Sequence, residues 1–246
     1  VISRNCLLIA NRVLRELRRD YRTLFLFTMS PLFVMILVAG MLVETPRTFD
    51  RSGLLVMGLF PTAPGFLFAA FAIQRERYRG SLEFLLSGPV TRLDVLVGYL
   101  LAFSVPAVAQ VALTVSVSYG LLGLDSAGPW WAAALLAMLA CVLGVVLGMF
   151  AINLAHNELQ LTKVLPTVAL PHLMVSGLFL PYEDMPGWMQ AAATIAPWRY
   201  AVGAVSELHL HSSVTSELVL NLSVTVGIVF ALSAVTVGTV LRRRTA

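Results

Sequence analysis

Few residues in this chain could do chemistry, and one cluster of them stands out. Arg75, Glu76, Arg77, Tyr78 and Arg79 crowd into residues 74–94 (QRERYRGSLEFLLSGPVTRLD), a charged island in a very apolar sequence. Guanidinium and carboxylate groups at this spacing bind through charge-assisted hydrogen bonds, the chemistry of recognition. The residue types needed for bond making are not arranged for it. HExxH, CxxC and GxSxG motifs are absent, and no His/Asp/Glu cluster has metal-ligand spacing. The only lysine, Lys163, follows Thr162 and precedes Val164, so the Gly-Lys-Ser/Thr of a P-loop cannot form. Cys6 and Cys141 lie far apart in sequence and suggest no disulfide framework. His172 is the one titratable group expected at membrane depth. It reads either as a functional group or as a neutral histidine hydrogen-bonded within a helix bundle.

The charged island has its own local grammar. Leu82, Leu85 and Leu86 give the short segment 81–86 one apolar face at helical spacing. Gly88-Pro89 then breaks the chain, and Thr91 with Asp94 three residues on predicts a capping box that opens a new helix. Two readings of the island stand side by side. It is a short helix outside the bilayer that engages a driving partner, or it is an ordinary charged loop obeying membrane topology.

The elements that must position these groups are set by composition. The chain is 58% hydrophobic and 12% charged, with net charge +4 and mean hydropathy +0.84. Six apolar runs are predicted to span a membrane: residues 24–43, 54–73, 95–122, 130–153, 164–182 and 218–241. None contains Asp, Glu, Lys or Arg, and each is near or above the roughly 20 residues that cross a hydrocarbon core. The expected fold class is therefore all-α: a polytopic membrane protein in one domain. The N-terminal arginines run too long for a cleavable leader. Of the 17 Lys and Arg, 14 fall in the two termini and the second and fourth loops. The positive-inside rule puts those segments, and hence both termini, in the cytoplasm. Basic residues placed beside spans set orientation, so the positive charge does not argue for nucleic acid.

In order along the chain, residues 3–22 read as an amphipathic helix. Leu7, Ala10, Leu14 and Leu17 lie on one face with Cys6 and Val13 beside them, and arginines elsewhere suit a lipid interface or a partner surface. Pro31 sits in span one. Pro61 and Pro64 should kink span two, where Phe60, Phe66, Phe68 and Phe71 add aromatic bulk. Gly144 and Gly148 in span four have the spacing that lets two helices approach closely. Glu158 and Lys163 make a polar fourth loop. The external stretch after span five holds Met185, Pro186, Trp188, Pro197 and Tyr200. It is too apolar for a free loop and too short to span, and suits a helix or re-entrant hairpin at the outer interface. Arg242, Arg243 and Arg244 anchor the end of span six.

In this order, Arg75-Glu76-Arg77-x-x-Gly80-Ser81-Leu82-Glu83-x-Leu85-Leu86, Pro181-x-x-x-Met185-Pro186-x-Trp188 and Pro197-x-x-Tyr200 resemble the permease subunit of type-2 ATP-binding-cassette exporters. Ser81 stands where the family has Thr, and Arg77-Tyr78-Arg79 holds one extra residue before the glycine. The resemblance covers essentially the whole chain. It implies an amphipathic connecting helix (1–23), a six-span domain (24–241) with a cytoplasmic coupling helix at about 81–88 and an external re-entrant segment at about 183–200, and a basic tail (242–246). It also implies a second permease, identical or paralogous, and separate ATPase subunits that bind ATP and Mg, with no cofactor on this chain. The setting would be the bacterial inner membrane. The island residues from Arg75 to Leu86 would engage the ATPase, with Arg75, Glu76 and Glu83 as polar clamps. Phe60, Phe66, Phe68, His172, Met174 and Phe179 would line the path of a hydrophobic small molecule such as an antibiotic. Export of a lipid or glycan-lipid, or a non-transporting anchor or sensor for an ATPase, are the other expectations.

Overall fold

The computed structural model describes residues 4–78, 90–152 and 158–239. Gly80, Ser81, Leu82, Glu83, Leu85 and Leu86 lie outside the described residues, as does the basic tail.

The first helix, α1 (Arg4–Arg19), buries Cys6, Ile9, Val13 and Leu17. That three-and-four spacing makes one stripe, and the stripe packs on α5 (Arg92–Gly120) rather than standing free. Gly98 of α5 makes room, since a Cβ there would come within 2.7 Å of the Ile9 side chain. The expected face is thus rotated: Ile9 belongs to it, whereas Leu7 is exposed. Asp20 then ends the helix and caps α2 (Tyr21–Met41), accepting from the Thr23 amide at 3.3 Å and the Thr23 hydroxyl at 2.9 Å. Along α2, Phe27, Pro31 and Met35 turn inward, while Phe25, Leu26, Phe33, Ile36 and Leu37 are exposed.

The second apolar run is interrupted. Helix α3 (Pro46–Leu59) and α4 (Thr62–Tyr78) meet at Phe60 and Pro61, where proline lacks the amide needed to continue the ladder. The break separates two apolar cores. One, at the α1 end, gathers Val13, Phe27, Phe68, Tyr99, Phe103 and Val145. The other gathers Met35, Leu54, Met57, Val115, Leu136 and Val205. Helix α5 opens on the predicted capping box. The Asp94 amide donates to Thr91 Oγ1 at 3.1 Å, and the Thr91 amide donates to Asp94 Oδ2 at 2.9 Å.

The most extensive pairing is α4 against α6 (Trp130–Ala151). A Cβ on Gly144 would overlap the Thr62 carbonyl oxygen, and one on Gly148 the Phe66 carbonyl oxygen. In return, a Cβ on Gly65 would lie 2.7 Å from the Cys141 carbonyl oxygen. The backbones therefore touch, as small residues at this spacing permit.

Helix α7 (Glu158–Met174) starts before and stops short of the predicted run 164–182. Gly177 adopts φ +89°, and Ser176 Oγ donates to the Leu173 carbonyl at 2.8 Å, which closes the helix. After a short 3-10 turn (Tyr182–Asp184) come α8 (Gly187–Ile195) and α9 (Pro197–Leu210), joined at Ala196. Helix α10 (Ser216–Thr239) packs on α9 and α6. Five helical stretches among the described residues are long and apolar enough to cross a membrane; α3 with α4 counts as one of them. The chain is all-helical among the described residues and is a multi-pass membrane protein.

Candidate functional site: a polar junction and an apolar groove

Two arrangements stand out, one at each stage of the second apolar run. The first lies where α4 ends. Glu76 is buried, and its Oε2 accepts from Tyr99 Oη at 2.5 Å and from Arg12 at 3.2 Å. Arg75 pairs with Asp20 at 2.8 Å, and Arg77 donates to the Ile152 carbonyl at 3.2 Å. Cys6 Sγ lies 3.2 Å from Asp94 Oδ1 as a donor. These bonds tie α1, the start of α2, the end of α4, the start of α5 and the end of α6 into one junction. The described elements on either side of residues 79–89, the end of α4 and the start of α5, both belong to it.

The structure thus sets Arg75, Glu76 and Arg77 in bonds within the chain, with Glu76 facing inward. Arg12, Asp20, Tyr99 and the Ile152 carbonyl are their partners; sequence reasoning set Arg12 among the arginines off the apolar face of the amphipathic helix and did not single out Asp20 or Tyr99. Two signals were present: Asp20 is an acid closing an arginine-rich helix, and Tyr99 is a hydroxyl-bearing ring two turns into an apolar span. The Arg75 guanidinium, mainly by its hydrogen bond, holds the Asp20 carboxyl below the usual carboxylate range. A carboxyl depressed in the folded state stabilises above its unfolded pKa and loses that contribution as pH falls through the folded one. Asp20→Asn keeps the cap but removes the charge. It should lower the unfolding midpoint slightly at neutral pH, by at most about 1 kcal/mol for so exposed a pair. The difference from wild type should start to shrink as pH falls below about 4 and vanish only once pH has passed below the lower folded-state pKa, when thermal unfolding is followed in detergent.

The second arrangement is an open-sided apolar groove of about 360 Å³ between the α3–α4 break and α7. Val56, Leu59, Phe60, Leu170, Leu173 and Trp198 line it. The helix break positions Phe60, and Pro197 at the first turn of α9 sets Trp198 against α7. Of the predicted path residues, only Phe60 reaches this groove. Phe66 and His172 line a smaller inner cavity behind α7. Phe68 is core: its ring stacks on Phe27 at 4.7 Å and meets Phe103 edge-on at 5.3 Å. Met174 and Phe179 are exposed at the end of α7 and beyond it. Leu173, Leu170 and Trp198 were missed, because only the fold brings α9 to α7.

At the same end as Phe179, Arg199 lies 3.7 Å above the Tyr182 ring. Tyr200 Oη donates to the Thr194 carbonyl at 2.7 Å, and Gln190 donates to the Met185 carbonyl at 2.9 Å. Met185 and Pro197 are buried, whereas Pro186 and Trp188 are exposed. These contacts brace the turn and the two helices against one another.

The chain has relatives. The family model described as "ABC-2 type transporter" matches residues 4–210. The chain is similar to the probable multidrug ABC transporter permease YbhS of Escherichia coli K12, 26% identical over 148 residues, 60% of this chain and 39% of that protein. It is also similar to the linearmycin resistance permease protein LnrN of Bacillus subtilis 168, 29% identical over 143 residues, 57% of this chain and 36% of that one. A third similarity is to the probable multidrug permease YbhR of E. coli K12, 22% identical over 157 residues, 63% and 42%. The matched stretch spans less than half the length of each of these relatives.

Proposed function

The chain belongs to the ABC-2 type transporter family, and from that premise we propose that it is the membrane-spanning permease of an ATP-driven exporter of hydrophobic small molecules. The single observation that carries the substrate class is the groove beside the α3–α4 break, walled by apolar and aromatic side chains. Such a surface binds by burial of apolar area and discriminates weakly among lipophilic shapes. The names of the similar permeases, multidrug and linearmycin resistance, point the same way.

The groove is open on one side. A second permease, a copy of this chain or a paralogue, would face it and close it into a cavity. ATP and Mg would be bound by separate cassette ATPases, and this chain would hold neither. Residues 81–88 would form the coupling helix, seated on an ATPase and rooted in the Arg12–Glu76–Tyr99 junction. ATP-driven closure of the ATPases would tilt α4 and α5 through that junction and turn the groove from one side of the membrane to the other. We place the protein in a bacterial inner membrane with both termini cytoplasmic, from the arginine distribution. In this reading α7, with the chain through residue 182, makes a broken sixth crossing, and the segment 183–200 is a lid at the outer face.

Leu173→Trp tests the groove. Filling it should lower ATP-dependent uptake of a lipophilic fluorescent drug into inverted vesicles by about tenfold, the factor that roughly 1.4 kcal/mol of lost fit produces. Basal ATP hydrolysis should persist. Undiminished uptake would show that the substrate travels elsewhere.

A further inference from the structure

Helix α1 packs chiefly on α5, and α4 on α6, which leaves the corner between the end of α1, the start of α2 and the end of α4 unfilled. A pocket of about 590 Å³ occupies it, within the size range of sites for small organic ligands. Its wall is apolar where Leu17, Phe68, Phe71 and Ala72 line it, and its rim carries the charges of Glu16, Arg19, Asp20 and Arg75. Phe68 comes seven residues before Arg75, so the apolar end lies about 10 Å further along α4. The rim sits where the first membrane-crossing helix begins. Tyr21, in the first turn of that helix, is an exposed aromatic ring of the kind that marks the level of lipid headgroups.

The rim charges are not all engaged. Asp20 is committed to Arg75 and to Thr23. Arg19 is exposed and has no ion-pair or hydrogen-bond partner among the described residues. The Glu16 carboxylate accepts no hydrogen bond among the described residues. Its one ion pair is with Arg12 at 3.4 Å, a guanidinium it shares with the buried Glu76. Glu16 and Arg19 are three residues apart on α1, so they stand side by side on one helix face, yet they do not pair with each other. Both look onto the same pocket, above an apolar wall. Their complement is one molecule that carries an anion, a cation with N–H groups and a hydrocarbon tail.

We propose that this pocket binds an amino-phospholipid of the surrounding leaflet, with its phosphate on Arg19, its primary ammonium on Glu16 and the upper part of an acyl chain against Phe71 and Ala72. Both headgroup contacts are charge-assisted hydrogen bonds, stronger than neutral ones. The ammonium distinguishes this lipid from its neighbours. A trimethylammonium has no N–H to give Glu16, and a glycerol headgroup has no positive charge. Leu26, one turn along α2 from Thr23 of the pocket, is exposed, so the apolar wall runs on into a surface open to acyl chains. An occupant ties α1 to α4 across the corner. The site rests on the pocket and on the chain's place in a membrane, and does not depend on the exporter reading.

The test uses the full chain in detergent and native mass spectrometry, with short-chain phosphatidylethanolamine, phosphatidylcholine and phosphatidylglycerol titrated in turn. Phosphatidylethanolamine should fill one saturable site per chain, about tenfold tighter than the other two, the factor that one charge-assisted hydrogen bond carries. Glu16→Met, which removes the acceptor, should erase that preference. Arg19→Gln should weaken all three lipids about tenfold, since each carries a phosphate. Arg18→Gln, exposed on the same helix but off the pocket, should change nothing. All three side chains reach solvent, so the variants should fold. Glycerophosphoethanolamine, the same headgroup without chains, should not displace the lipid. Displacement at the lipid's own concentration would place a soluble zwitterion there and overturn the lipid. Equal or tighter binding of either other lipid, the absence of a saturable site, or binding that Glu16→Met and Arg19→Gln leave unchanged would overturn it as well.

Discussion

Gly144→Leu should leave little folded protein. At this position the neighbour is the Thr62 backbone carbonyl, already closer than a Cβ allows. A side chain there cannot be absorbed by a rotamer change. It must drive α4 and α6 apart along the most extensive helix pairing among the described residues. Overpacking usually costs about 1–3 kcal/mol where side chains can yield. Against backbone it should exceed that, roughly 3–5 kcal/mol, a large part of the about 5–15 kcal/mol that holds a typical domain together. Gly40→Leu is the control, since nothing lies within 4 Å of a Cβ at Gly40. Size-exclusion profile and unfolding midpoint in detergent should collapse for the first and match wild type for the second.

Glu76→Ala should have the next largest effect. Its carboxylate is the shared acceptor for Arg12 and for Tyr99, a fully buried ring. Removing it takes away both bonds and leaves a buried hydroxyl to be resatisfied, while Arg12 keeps its pair with Glu16 at 3.4 Å. Loss of one partner from such a pair costs about 2–4 kcal/mol, whereas Glu76→Gln keeps an acceptor and should cost about half as much. The signature is local. Hydrogen exchange should speed in residues 4–19 before it changes in α6, because α1 is held on one side by its apolar stripe and on the other by this bond. Uniform acceleration across all helices would contradict a junction role for Glu76.

Much of this architecture was legible in the sequence, for reasons that differ by element. Uncharged runs, the Thr91–Asp94 capping box and the proline break in the second run are local signals, and local geometry follows them. The Gly144–Gly148 spacing named the right face of α6 but not its partner α4. The fifth apolar run misled, because hydropathy sees 164–182 as continuous while the positive φ of Gly177 ends the helix near Met174. The amphipathic face of α1 was rotated toward Leu7, because a stripe of leucines reads as the buried side until the partner helix is known; Ile9 and Cys6 fit Gly98 and Asp94 instead. The candidate site was least legible. Arg12, Glu76 and Tyr99 come from three helices, Phe60, Leu173 and Trp198 from the α3–α4 break and two helices, and no spacing rule joins residues that only the fold brings together. The phenylalanines show the same limit: Phe60 lines the groove, Phe66 the inner cavity and Phe68 the core, and their spacing does not distinguish them.

The most direct test of the central claim is ATP-dependent uptake of a lipophilic fluorescent drug by inverted vesicles. The vesicles would hold this chain together with a cassette ATPase encoded beside its gene, and the Leu82/Leu85/Leu86→Ala triple variant would run alongside. The exporter account predicts uptake that requires ATP and survives a protonophore. It also predicts that the triple variant still inserts but loses uptake and the co-purifying ATPase together. Uptake that proceeds without ATP and collapses with the protonophore would contradict it, as would a triple variant that transports as well as wild type.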